Sequence, residues 1–204
     1  MDKRPYHSPL RQEQALATRQ RILDAALALF SAQGYAATSI ASVAREAGVV
    51  PETIYAAFGS KRGIVDGLIE RVAPPQVVTE LRTSWTSAQG DPSSQVRVIA
   101  HFAREFWARN DGLATVFRLG VGDADIADEW QRRQSDRRGL FARLLETWPS
   151  GVLRPDLDLE RAIDVFWGLS SDELYRLFVQ DRGWPPEDYE AWLGDALERE
   201  LLAT

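Results

Sequence analysis

The chain has 204 residues, enough for one or two domains with a sizeable core, and its 45% hydrophobic and 26% charged content is that of a globular protein. It has no cysteine and only His7 and His101, which excludes disulfides, cysteine redox chemistry and histidine- or cysteine-rich metal sites. The net charge of −6 is unevenly spread: residues 1–73 carry nine Lys+Arg against seven Asp+Glu, and residues 74–204 carry fifteen against twenty-three. A basic front on an acidic body suits a nucleic-acid contact confined to one end, although a solvated basic tail would give the same asymmetry. No apolar run approaches the roughly 20 residues that span a bilayer. The opening MDKRPYHSPLRQEQ lacks the apolar core of a secretory signal, so a cytoplasmic location is expected and no membrane partner.

Residues 1–16 are polar, contain Pro5 and Pro9, and are predicted to form a flexible basic arm. From Ala17 to Gln33 the period becomes helical, with Ile22, Ala26, Leu29 and Phe30 on one stripe and Gly34 as its stop. Thr38 or Ser39 can cap the next helix, whose inward face is Ile40, Val43, Ala44 and Ala47. Gly48 ends it and Pro51 opens another, placing a tight turn between two short helices. Ile54 and Phe58 form the apolar side of the second helix, and with Val43, Ala44 and Val49 are expected in the core. Thr53, Tyr55 and Ala56 are left to face elsewhere. Ser60 can cap a helix from Lys61 to Val72, and Pro74-Pro75 closes it, so a domain boundary is placed there, dividing 17–73 from 74–204.

The remainder reads as helix throughout: Gln76–Ala88, Gln95–Arg109, a short Leu113–Leu119, a long Asp125–Trp148, then Leu159–Val179 and Pro186–Leu202 after a loop at Pro149–Asp158. No period-2 strand pattern and no internal repeat is present, so the fold class is all-α. All seven tryptophans follow residue 84.

The stretch from Thr38 to Lys61 has the form of a helix–turn–helix, whose second helix can lie in the DNA major groove while the first crosses the backbone. Small Ala56 and Ala57 permit close approach. Thr53 can meet a phosphate or base edge, Tyr55 can donate to a phosphate, and Lys61 can pair with one. The set Gly34-Tyr35, Thr38-Ser39, Val43-Ala44, Ala47-Gly48-Val49, Ile54-Tyr55, Phe58 and Ser60-Lys61 resembles the amino-terminal DNA-binding domain of TetR-family transcriptional regulators, over about residues 18–70. By position, the resemblance implies DNA contacts at Thr38, Ser39, Val50, Pro51, Thr53, Tyr55, Ala56 and Lys61. The chain departs from the family pattern at Val50, Glu52 and Ala57. Valine cannot cap, and Glu52 favours a helix start but repels phosphate.

The resemblance also implies a homodimer, two reading heads about 34–36 Å apart on an inverted-repeat operator, and a carboxy-terminal domain that binds a small molecule of unknown identity. His101, Phe102, Phe106, Trp107, Phe117, Arg118 and Trp130 are its candidate pocket residues, although each aromatic also reads as ordinary core. Arg118 or His101 could hold an anionic group or pair with a carboxylate. The acidic Asp123, Asp125, Asp128 and Glu129 could bind a cation, but read more readily as residues that cap and solvate the start of the long helix. The last two helices have wide apolar faces, and Phe166, Trp167, Leu174, Phe178, Trp192, Leu193 and Leu197 are the predicted dimer interface. The expected function is a ligand-responsive DNA-binding repressor. The alternative is a helical ligand- or protein-binding module without DNA binding. GxxxxGK[ST], HExxH and GxSxG are absent, so no enzyme activity and no cofactor are expected.

Overall fold

The computed structural model describes residues 9–120 and 122–203. Among these the fold is all-α, as predicted, with an isolated antiparallel bridge between Leu153 and Leu202 as its sole β-pairing. The chain forms two compact units, one holding residues up to Arg71 together with Thr115–Ala127, the other Val72–Ala114 with Asp128–Thr204. No described helix is long and apolar enough to cross a membrane.

The first unit holds α1 (Pro9–Gln33), α2 (Ile40–Ala47), α3 (Pro51–Phe58) and α4 (Lys61–Val72). Residues 9–16, predicted as part of an arm, instead extend α1. Its opening proline sacrifices no hydrogen bond there, and the following Gln, Glu, Ala and Leu are good helix formers. Residues 11–17 are exposed, so this extension rests on propensity more than on packing. Residues 1–8 of the predicted arm lie outside the described residues. Ile22, Leu23, Ala26 and Phe30 of α1 are buried with Val43, Ala44, Ala47, Ile54, Ile64, Val65 and Leu68. Val49 and Phe58, expected in the core, are only half-buried. Gly67 lets α4 approach closely. A Cβ there would stand 2.8 Å from the Phe58 ring and 3.2 Å from Leu23.

The second unit is built from α5 (Pro75–Ser87), most of α6 (Pro92–Leu119), most of α7 (Ala124–Leu145), α8 (Leu159–Leu169), the short α9 (Asp172–Tyr175), a π-helical turn at Arg176–Asp181 and α10 (Pro186–Leu201). The break predicted between helices at 95–109 and 113–119 is present as a kink within α6 at Asn110 (φ −123°, ψ 17°), whose amide donates to the Phe106 carbonyl at 2.7 Å. The late tryptophans largely build core. Trp85 and Trp148 stack at 5.7 Å, and each ring N–H has a partner: Thr147 Oγ1 at 3.1 Å for Trp85, and Gln95 Oε1 at 2.6 Å for Trp148.

The helix predicted over 159–179 is broken. The Ser170 carbonyl accepts from the Trp107 ring N–H at 2.9 Å and from Arg137 Nη1 at 3.0 Å, and Arg137 Nη2 donates to the Trp167 carbonyl at 3.0 Å. These donors satisfy the free carbonyls at the end of α8, and Ser171 caps α9 by accepting from the Leu174 N–H. Three of the predicted dimer residues, Phe166, Leu193 and Leu197, are completely buried within the single chain. They belong to the core of this unit and not to an interface, because a side chain with no exposed surface has none to offer a partner.

Candidate functional site

Local chemistry fixes the helix–turn–helix. Ser39 caps α2 by accepting from the Ser42 N–H at 3.0 Å, while the Ser42 hydroxyl oxygen accepts from the Ser39 N–H at 3.0 Å, a reciprocal capping box. Gly48 ends α2 at φ 65°, a conformation that a Cβ would strain, and its N–H reaches the Arg45 carbonyl at 3.3 Å. The Val49 N–H closes the turn on the Ala44 carbonyl at 2.9 Å. Val50 then stands at the cap position of α3 with no side-chain hydrogen bond, and Pro51 follows at the first helical position.

One fully buried side chain, Ile54, anchors α3, and its outward side is open. Val50 is 59% exposed and Tyr55 54%, large apolar and aromatic groups left in solvent, as Leu16 of α1 is at 62%. Ser39, Glu52, Ala56 and Ala57 are also exposed, and Pro51 and Thr53 are half-buried beside them. Six of the eight predicted contacts, Ser39, Val50, Pro51, Thr53, Tyr55 and Ala56, therefore keep surface at the motif.

The other two turn inward. Thr38 is buried, with its hydroxyl donating to the Gly34 carbonyl at 2.9 Å and accepting from Gln33 Nε2 at 3.1 Å. Lys61 Nζ donates to the carbonyls of Tyr35 at 2.9 Å and Thr38 at 3.1 Å, and lies 4.0 Å above the Tyr35 ring. Its ammonium ties the start of α4 to the α1–α2 connection. The Tyr35 hydroxyl is pushed up to about 12 by burial and by the neighbouring Asp123 and Asp125, so the ring under Lys61 stays neutral.

Residues not singled out from the sequence also frame the motif. A groove of about 600 Å³ runs past Thr18 and Arg21 of α1, Ala44 and Arg45 of α2, and the turn itself to Thr53. An arginine on an exposed helix face carries no periodic signal, so only the folded arrangement brings Arg21 and Arg45 together.

In the second unit a groove of about 520 Å³ lies between α5 and α6. Of the predicted pocket residues it contains His101, Phe102 and Phe106, the last two stacked at 5.9 Å, and Leu81, Val98 and Asn110 share its wall with the charged Glu80, Arg97, Glu105 and Arg109. The other four are elsewhere. Trp107 is committed to the Ser170 carbonyl, and Trp130 is half-buried on α7. Phe117 is buried in the first unit, and Arg118 in that unit donates to Thr115 Oγ1 at 2.7 Å. His101 Nδ1 lies 3.1 Å from Glu190, which also pairs with Arg104. The acidic run is structural: Asp123 accepts from the N–H groups at the start of α7, and buried Glu129 pairs with Arg132 and Arg133. Among the predicted dimer residues, Trp167, Leu174, Phe178 and Trp192 remain half-buried, and Leu177 beside them is 45% exposed.

Residues 22–68 match the family model described as bacterial regulatory proteins, tetR family. The fold resembles that of SmeT, the repressor of a Stenotrophomonas maltophilia multidrug efflux pump, solved with triclosan (TM-score 0.73, 21% identity, 92% of this chain and 93% of that one). It also resembles NalD, the secondary repressor of the MexAB-OprM efflux pump of Pseudomonas aeruginosa (TM-score 0.72, 21% identity, 93% and 99%). In sequence, the HTH-type transcriptional regulator YvkB of Bacillus subtilis is 41% identical over 168 residues, 81% of this chain and 86% of YvkB. Identity of that degree runs well beyond the helix–turn–helix into the second unit, and with the capped α2, the Gly48 turn and the open face of α3 it means that the chain belongs to the tetR family of transcriptional regulators.

Proposed function

We propose that the chain is a homodimeric repressor that holds an inverted-repeat DNA operator through α3 and releases it when a small molecule occupies the α5–α6 groove. The observation that carries the reading is the open face of α3, where Val50 and Tyr55 stay in solvent together with exposed Glu52, Ala56 and Ala57. Such a face suits the edges of base pairs and the thymine methyl, and the small Ala56 and Ala57 permit close approach. Ser39, Val50, Pro51, Thr53, Tyr55 and Ala56 are the contacts. Thr38 and Lys61 act behind them, as positioning residues.

For the ligand, the groove offers a stacked Phe102–Phe106 pair, lined also by His101, Asn110 and the charged Glu80, Arg97, Glu105 and Arg109, a setting for a flat molecule with an aromatic face and a polar edge. SmeT was solved with triclosan, which makes that compound a rational probe. Occupancy shifts the balance only as far as the ligand's affinity differs between the DNA-binding and released states.

The reading is tested by gel-shift titration on the DNA flanking the protein's own gene. Tyr55→Ala should weaken binding about tenfold, the worth of one good hydrogen-bonded contact, without altering the folded state. Triclosan should release the complex from the wild type, and Phe106→Ala should blunt that release. An affinity untouched by Tyr55→Ala would count against α3 as the reading helix.

A further inference from the structure

We infer that Arg21 and Arg45 together seat one backbone phosphate of the bound DNA in the groove beside the α2–α3 turn. The inference rests on the reading that α3 meets DNA, and adds to it a contact made from α1 and α2.

Pairing within the first unit is the starting observation. Arg19 meets Glu70 at 3.3 Å, Arg62 meets Asp66 at 3.4 Å, and Arg71 meets Asp24 at 2.6 Å. In the second unit Arg97, Arg104, Arg138, Arg154 and Arg176 are each matched to carboxylates as well. Arg21 and Arg45 are not matched in this way, and among the described residues neither are Arg11, Arg82, Arg143 and Arg182; what sets Arg21 and Arg45 apart is that both line one groove. Both are exposed, and among the described residues no carboxylate lies within ion-pair distance of either, although Glu46 and Glu52 are close by in sequence. In a chain of net charge −6 with an abundance of acidic partners, two unmatched guanidinium groups on one groove are available for an anion that the chain does not itself supply.

The groove gives that anion a place. Arg21 and Arg45 line it from two different helices, and Thr53 of α3 lines the same wall. Arg21 Nη1 lies 4.0 Å from the point a Cβ would occupy at Gly48, so the guanidinium hangs over the turn itself. Val50, also on the lining, continues directly into the exposed face with Tyr55. An anion held here is therefore adjacent to whatever α3 reads. Guanidinium groups grip phosphate oxygens through paired N–H donors, and such contacts fix the register of a protein on the duplex. Lys61, the side chain that the resemblance would give this task, has its ammonium on the Tyr35 and Thr38 carbonyls.

A shared seat has a signature that independent contacts lack. Each phosphate contact contributes about 0.9 to the slope of log affinity against log salt on duplex DNA. Fluorescence anisotropy titrations, run between about 50 and 200 mM salt on a random-sequence duplex and on the DNA flanking the gene, read that slope directly. Arg21→Gln and Arg45→Gln should each lower it by about 0.9 and weaken binding roughly tenfold at the low-salt end. The double variant should fall no further in slope than either single one, because one phosphate is lost in all three. Arg138→Gln, on a surface ion pair of the second unit, should keep the wild-type slope. Circular dichroism should show all variants folded, since both arginines are exposed. Additive slope losses in the double variant would mean two separate phosphates, and unchanged slopes would mean two solvated arginines. Either result overturns the inference while leaving α3 as the reading helix. A wild type with no salt-dependent binding to either duplex would instead bring down the DNA reading itself.

Discussion

Lys61 shows how one side chain can suit two partners with the same chemistry. An ammonium on a flexible stem meets a phosphate oxygen or a backbone carbonyl equally well, and here two carbonyls, of Tyr35 and Thr38, take it. We predict that Lys61→Met, which keeps the stem and removes the charge, lowers stability by about 1–2 kcal/mol in urea unfolding. A stability equal to wild type, with a lower salt slope on DNA, would reverse the assignment and return Lys61 to the phosphate. Residue type and spacing could place Lys61 and Thr38 at the motif but could not give the direction of their side chains. Thr38 was equally open to capping or contact, and the fold used its hydroxyl on Gly34, four residues back. Tyr55 was easier to read, since the periodicity that buries Ile54 leaves it on the outside.

At the scale of elements, helix ends written in local chemistry were legible. Gly48 with Pro51 set the α2–α3 turn, Ser60 caps α4 through the Gly63 N–H at 3.1 Å, and Asp91 accepts from the Ser94 N–H at 3.1 Å at the start of α6. The Asp91 carboxyl is accordingly held below its usual range by the Ser94 hydroxyl and N–H. The break after α8 was not legible, because the groups that make it come from far along the chain. Trp107 and Arg137 lie 63 and 33 residues before Ser170. Arg137 is mostly buried among the rings of Trp107, Phe141 and Trp167, and that burial pushes its pKa down to about 10, still charged at neutral pH. We predict that Arg137→Met lowers stability by about 1.5–3 kcal/mol, because it strips charged donors from two carbonyls at the end of α8. Its neighbour Arg138 is a control. It pairs at the surface with Glu160 and Asp164, where solvent screens the pair, so Arg138→Met should leave the urea midpoint close to wild type. Equal midpoints for the two variants would show that the break at Ser170 does not depend on Arg137.

For the molecule as a whole, the sequence pattern overstated the surface left over for a partner. Apolar residues on α8 and α10 exceed what one small unit was expected to cover, yet Phe166, Leu193 and Leu197 are fully enclosed by their own chain. A hydrophobic pattern counts apolar positions, and cannot divide them between core and interface without the packing. Four half-buried side chains, Trp167, Leu174, Phe178 and Trp192, together with exposed Leu177, are what remains available, with Phe178 in ring contact with Trp192 at 4.6 Å and Trp184 at 4.7 Å. If a second copy covers this aromatic patch, Leu177 gains most by it, since it is the side chain with most apolar surface still in water. Leu177→Glu places a charge where the copies would meet and nothing in the core, so sedimentation equilibrium should show folded monomers. Leu193→Glu places the same charge inside the unit, where no partner awaits it, and should abolish cooperative unfolding altogether. The monomer should still touch DNA through one α3. It should nevertheless lose the preference for an inverted repeat over a single half-site, because that preference comes from two heads held about 34–36 Å apart. A Leu177→Glu protein that sediments as a dimer and still favours the repeat would move the interface off this face.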